Sequence, residues 1–206
     1  MEGTSALQGF LTRDTVTEPQ TLRSDARRNR EKLLAVAAEA FASAGVNASL
    51  EEIARKAGVG VGTLYRHFPS REALVAATYR NEVEQLCESV SELQESLAPD
   101  AALRAWMDGF VRYIATKRGM GEALQAVMAS DSAVFADTYS RLVAALDELL
   151  AAAVAAGGIR ADARGEDVLR ALGAIWMIRD SERREEQAGR VLDLLMDGLR
   201  YDPSRR

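Results

Sequence analysis

The sequence predicts an all-α protein, and three observations carry that prediction. Apolar residues recur at three- and four-residue intervals, and no stretch alternates apolar and polar residues as a half-buried strand does. Ala, Leu, Glu and Arg, all strong helix formers, dominate the chain. The four prolines, Pro19, Pro69, Pro99 and Pro203, stand where the periodicity breaks, as residues that end or begin helices do.

Residues 1–22, rich in Thr, Gln, Gly and acids, read as a mobile tail. A first helix is expected from about Asp25 to Ala44, with Leu33, Leu34, Ala37, Ala40, Phe41 and Ala44 on one face and Gly45 as its stop. The second begins at Ser49, where "SLEE" has the form of a capping box. In such a box the Ser49 hydroxyl accepts the Glu52 N–H and the Glu52 side chain reaches back. It ends near Ala57, and Gly58 supplies the positive φ of a sharp turn. A short third helix spans about Val61–His67. Pro69 and Ser70 close it, and Ser70 caps a long fourth helix reaching toward Leu97. Further helices are expected at about 100–117, 121–129, 132–156, 166–178 and 182–201, punctuated by Gly119, Gly157, Gly158 and Gly165.

The chain is 206 residues long, enough for one or two domains, and no apolar run approaches the roughly 18 residues of a membrane span. The first twenty residues lack a basic start followed by an apolar core, so no signal peptide is expected. A single cysteine, Cys87, makes no internal disulfide, which fits the reducing cytoplasm. With one histidine, His67, and one cysteine, a His/Cys metal site is excluded, and no cofactor motif is found. The net charge of −5 is unevenly placed: residues 1–20 carry −2, residues 21–80 carry +4 and residues 81–206 carry −7. A basic N-terminal segment on an acidic body suits a protein that meets a polyanion at one end.

"AGVGVGTLYRHFP", residues 57–69, concentrates glycines beside contact-making side chains. The second and third helices, joined at Gly58, have the layout of a helix-turn-helix, with Ile53, Ala54, Ala57, Val59 and Leu64 as its small core. In that motif the second helix enters the major groove of DNA. Gly60 and Gly62 then keep its leading edge thin enough for close approach. A nucleotide-binding reading of "GVGVG" fails, because a helix precedes it, no strand pattern exists and no Lys-Ser or Lys-Thr follows.

"SLEEIARKAGVGVGTLYRHFPSREAL" resembles the DNA-binding signature of the TetR family of transcriptional regulators, closely over residues 27–75. The resemblance implies a DNA-binding domain at 23–70 and a helical ligand-binding and dimerisation domain at 71–206. It implies that Val61, Gly62 and Thr63 face the major groove, with Thr63 and Arg66 reaching base edges or nearby phosphates. Tyr65, His67 and Arg71 would contact phosphates, Ser49 would meet the opposite side of the groove, and Arg27 and Arg28 would contact the backbone from the first helix. Gly60 departs from the family pattern, which often has a capping serine there. Phe68 and Leu64 are read as core.

One short recognition helix makes few base contacts, so pairing of two chains on an inverted repeat is expected. The last two helices carry the stripes for it: Val168, Leu172 and Ile175 on one, Val191, Leu195 and Leu199 on the other. Pairing through C-terminal helices is also what the resemblance implies. For a small-molecule effector, a pocket is expected among Trp106, Phe110, Tyr113, Met120, Leu124, Met128, Phe135, Tyr139 and Trp176, with Asp108, Arg112 and Asp137 as candidate polar tips. Together these imply a homodimeric transcriptional repressor, released from double-stranded operator DNA by a small molecule. The alternatives are a helical protein–protein adaptor and a ligand-independent regulator. An enzyme is disfavoured, because His67 is claimed by the reading head and Cys87 has no second histidine to activate it.

Overall fold

Helical periodicity, capped starts and glycine stops fold into eight α-helices among the described residues. The computed structural model describes residues 18–130, 137–178 and 183–201. In chain order these are α1 (Glu18–Ala44), α2 (Leu50–Lys56), α3 (Val61–His67), α4 (Arg71–Ser96), α5 (Pro99–Ser130), α6 (Thr138–Ala155), α7 (Gly165–Gly173) and α8 (Arg184–Arg200). Two 3-10 turns, Gly45–Asn47 and Ala174–Met177, follow α1 and α7. No described helix is long and apolar enough to cross a membrane.

Two elements differ from the sequence expectation. Helix α1 starts at Glu18 rather than Asp25. Pro19 falls in its first turn, where a missing N–H costs nothing. Of the expected tail, residues 1–17 lie outside the described residues. The two helices expected at 100–117 and 121–129 are both present, adjoining within Pro99–Ser130 and divided at Gly121, whose backbone (φ 41°, ψ −124°) is not helical. The helix expected at 166–178 tightens into a 3-10 turn after Gly173, and Arg118 reaches across to that turn from α5. Its Nη1 donates to the Ile178 carbonyl at 2.6 Å and its Nη2 to the Trp176 carbonyl, while the guanidinium stacks 5.1 Å from the Trp176 ring. The helix expected from residue 132 is described from Thr138.

The head packs α1, α2 and α3 around Leu33, Leu34, Ala37, Phe41, Ile53, Ala54, Leu64 and Phe68, all buried. The body is built on the antiparallel pair α4–α5, closed by α6, which carries α7 on its far side, and by α8, which packs directly on α5. Head and body meet where the end of α1 lies against α5. There Gly119 is required by contact: a Cβ on it would sit 1.7 Å from the Phe41 carbonyl oxygen. The backbones touch at a distance only glycine allows.

Candidate nucleic-acid interface

The reading head is assembled by local bonds. The Ser49 hydroxyl accepts the Glu52 N–H at 3.2 Å and starts α2. Only half of the expected capping box forms. The Ser49 hydroxyl donates to Glu51 Oε2 at 2.8 Å, and the Glu52 carboxylate turns to Arg55 (3.2 Å) and Lys56 (3.7 Å). The Glu51 carboxyl is held below the usual carboxylate range by backbone N–H groups, then by the Ser49 hydroxyl and by Arg71. Helix α2 ends in a Schellman motif. Gly58, at φ 72°, donates to the Arg55 carbonyl at 3.1 Å, and Val59 donates to the Ala54 carbonyl at 3.0 Å. That pair of bonds ends α2 and turns the chain toward α3.

On α3, Leu64 and the following Phe68 point into the head and are buried. Val61, Gly62, Tyr65 and Arg66 face solvent, Val61 and Tyr65 being 42% and 45% exposed, while Thr63 and His67 are half-buried at the margins. A Cβ added at Gly60 or Gly62 would meet nothing within 4 Å. The leading edge of α3 is therefore bare backbone flanked by a valine, a tyrosine and an arginine. Large apolar and aromatic side chains left in water on a helix this short contribute nothing to the fold that holds them. Arg27 and Arg28 are exposed on α1 in short-range pairs with Glu31 (3.6 Å) and Asp25. Such pairs are weak enough to be exchanged for phosphate. Arg30 instead lies over the Phe68 ring, 5.5 Å from its centre.

Arg71 has a structural task that its place in the motif did not announce. Its Nη1 donates to the carbonyls of Val46 (2.6 Å) and Ala48 (2.8 Å), so the first turn of α4 is tied to the α1–α2 connection. The Ser70 hydroxyl accepts the Ala73 N–H at 3.2 Å and caps the same turn.

The expected aromatic pocket is largely filled by its own rings. Trp106 stacks on Phe110 with ring centres 6.0 Å apart, and Phe110 packs at a tilt against Tyr113 with centres 5.5 Å apart. The Trp106 indole N–H donates to the Leu86 carbonyl at 2.8 Å, and Tyr113 meets the Tyr79 hydroxyl at 3.3 Å. Met120 and Leu124 are buried in the same packing, whereas Met128, Tyr139 and Trp176 are exposed. Phe135 lies outside the described residues, and Asp137 begins α6. Open space lies instead along the seam between head and body. One cleft of about 490 Å³ lies between α1, α4 and α5, and touches Trp106 and Tyr113. A second of about 980 Å³, lined by Asp108 and Arg184 among others, shares Ala42, Arg112, Ala115 and Glu185 with it.

The positions expected to pair two chains also need correcting. Val168, Leu172, Ile175 and Leu199 turn inward and are buried within the chain, while Val191 and Leu195 are partly buried against the same core. The side chains these helices leave in solvent are Leu194 and Met177, each 73% exposed, with Trp176 and Tyr201.

The fold and the exposed α3 together define a helix-turn-helix DNA-binding regulator. Residues 33–78 match the family model "Bacterial regulatory proteins, tetR family", and residues 98–201 match "Transcriptional regulator SbtR-like, C-terminal domain". A TetR transcriptional regulator of known structure from Streptomyces coelicolor is 49% identical, with a TM-score of 0.78 over 83% of this chain and 98% of that one. A second, from Mycobacterium vanbaalenii, is 36% identical, with a TM-score of 0.69 over 87% and 99%. HTH-type transcriptional regulators of Staphylococcus aureus are 43% identical over 54 residues, 26% of this chain and 29% of their own length. The chain belongs to the TetR family of transcriptional regulators, which are DNA-binding and non-enzymatic.

Proposed function

We propose that the chain acts as a homodimeric repressor that reads an inverted-repeat operator and is released from it by a small molecule. In this reading residues 23–70 form the reading head and residues 71–206 the ligand-binding and dimerisation domain. Val61, Gly62 and Thr63 enter the major groove, where Thr63 and Arg66 supply side-chain contacts and Gly60 lets the backbone approach. Tyr65, His67, Ser49, Arg27 and Arg28 bind the flanking phosphates, and the exposed faces of α7 and α8 pair the two chains.

The observation that carries this reading is the solvent face of α3. Val61, Gly62, Tyr65 and Arg66 leave the packing of the head to Leu64 and Phe68. Arg71 is given a different part, because its guanidinium is committed to the Val46 and Ala48 carbonyls. Its contribution is to hold the α1–α2 connection, and Ser49 with it, in register with α4. For pairing, the exposed Leu194 and Met177 supply apolar surface that a monomer leaves in water.

Selection of genomic fragments by the purified protein at moderate salt tests the reading. Enrichment of a few sites sharing an inverted repeat is the expected outcome, together with sedimentation as a dimer. Binding should weaken steeply with salt, since phosphate contacts release counterions. Folded protein that enriches nothing above background refutes it.

A further inference from the structure

We propose that the effector site is the cleft between α1, α4 and α5, and that it takes a small organic cation, a protonated amine on an apolar body. The assignment rests on the ligand-responsive reading above and adds to it a place and a ligand class.

Small residues open the cleft. Ala35, Ala38 and Ala42 line it from α1, and Ala105 and Gly109 face them from α5. Its volume of about 490 Å³ suits a molecule of drug-fragment size. The deeper wall is apolar. Trp106 and Tyr113 have their N–H and O–H committed to Leu86 and Tyr79, so what they turn to the cleft is ring carbon.

The charge of the lining selects the ligand. Glu39 from α1, Glu82 from α4 and Glu185 from α8 face the space, against a single guanidinium, Arg112 of α5. Among the described residues none of the three carboxylates is in an ion pair. Glu82 is the innermost: half-buried, it receives one hydrogen bond, from the Thr116 hydroxyl at 3.3 Å. Burial pushes its carboxyl above the usual carboxylate range, against the opposing pull of Thr116 and Arg112. A carboxylate desolvated with too few partners is relieved by a cation and not by a neutral ligand. An anion would meet three carboxylates and be repelled.

The position of the cleft supplies the coupling. One wall belongs to the head and two to the body, and beside it α1 is in backbone contact with α5 at Phe41 and Gly119. A ligand held between the walls favours whichever head orientation leaves them further apart, provided it binds that arrangement more tightly.

Calorimetric titration of the full chain with tryptamine, tryptophol and indole-propionate tests the assignment, since the three share a ring and differ in charge. Tryptamine is expected to bind at least about tenfold more tightly than tryptophol, the scale of one charge-assisted contact, and indole-propionate least. Glu82→Gln should weaken tryptamine about tenfold and leave tryptophol unchanged. Ala42→Leu, which fills the cleft from an exposed position, should weaken both. Equal binding of the three probes, no binding of tryptamine, or Glu82→Gln and Ala42→Leu variants that bind it like the parent each overturn the proposal. Release of operator DNA by a neutral or acidic compound, with tryptamine inert, overturns the cation assignment and leaves the ligand-responsive reading standing. Tryptamine binding at Glu82 with no loss of operator affinity keeps the site and overturns its role in release.

Discussion

Replacing Gly62 by alanine separates what the fold needs from what the DNA needs. Gly62 is the second residue of α3, and an added Cβ would meet nothing within 4 Å in the free protein. Alanine there relieves the entropic cost of a helical glycine, worth about 0.5–1 kcal/mol. For a chain of this length that raises the melting temperature by about 1–4 °C. In the proposed complex with the operator the same methyl would lie on the edge of α3 that enters the groove. Holding the helix off by even about 1 Å stretches hydrogen bonds beyond their useful range. Breaking one side-chain bond to a base edge costs about 1–3 kcal/mol, roughly five- to 150-fold in affinity, and in a dimer the cost falls on both half-sites. Thermal unfolding followed by circular dichroism, paired with fluorescence anisotropy on the operator at fixed salt, reads both quantities. A variant that melts higher and binds the operator as tightly as the parent refutes the placement of this edge against DNA.

The other predictions concern the joints of the molecule. Gly119→Ala should lower the melting temperature by several degrees, because overpacking backbone against backbone costs about 1–3 kcal/mol and the 1.7 Å approach to the Phe41 carbonyl leaves no side chain free to yield. An unchanged melting curve refutes the close approach. Arg71→Ala removes two charged-donor bonds to Val46 and Ala48, and a destabilisation of about 1–2 kcal/mol is expected by chemical denaturation. Arg71→Lys should recover only part of it, since an ammonium cannot hold both carbonyls in the same fork; full recovery by lysine refutes that geometry. Glu82 titrates above its unfolded value, so its contribution to stability is present in acid and is lost as pH rises through the raised value. Glu82→Gln should therefore gain melting temperature relative to the parent between about pH 4 and 7, and a difference independent of pH refutes the desolvation.

The head is legible in the sequence because its determinants are local. Ser49, Gly58, Ser70 and the Leu64–Phe68 pair act on residues a few positions away, and the structure places their backbone bonds where the spacing puts them. Glu52 departs from the expected capping box because two basic residues one turn on, Arg55 and Lys56, compete for its carboxylate. The body is less legible for a different reason. An apolar stripe says that a face is buried and does not say against what. Val168, Leu172, Ile175 and Leu199 satisfy that stripe within their own chain, and the weaker stripe carrying Leu194 is the one left outside. The aromatic cluster has the same ambiguity: Trp106, Phe110 and Tyr113 have the composition of a pocket wall, yet they pack on each other. Glu82 is some thirty residues from Arg112 and Thr116, and only the pairing of α4 with α5 brings it to them.

Helix α4 is also a lever. Its 26 residues make a rod about 39 Å long that starts under the reading head, at the Ser70 cap, and ends in the body. Rotating a rod of that length by about 5° about its body end moves its head end by about 3.4 Å, the rise of one base pair. Because Arg71 bolts the first turn of α4 to the α1–α2 connection, the head travels with that end. An angular change small enough to leave every helix intact is thus geared up to a head displacement as long as one base-pair step.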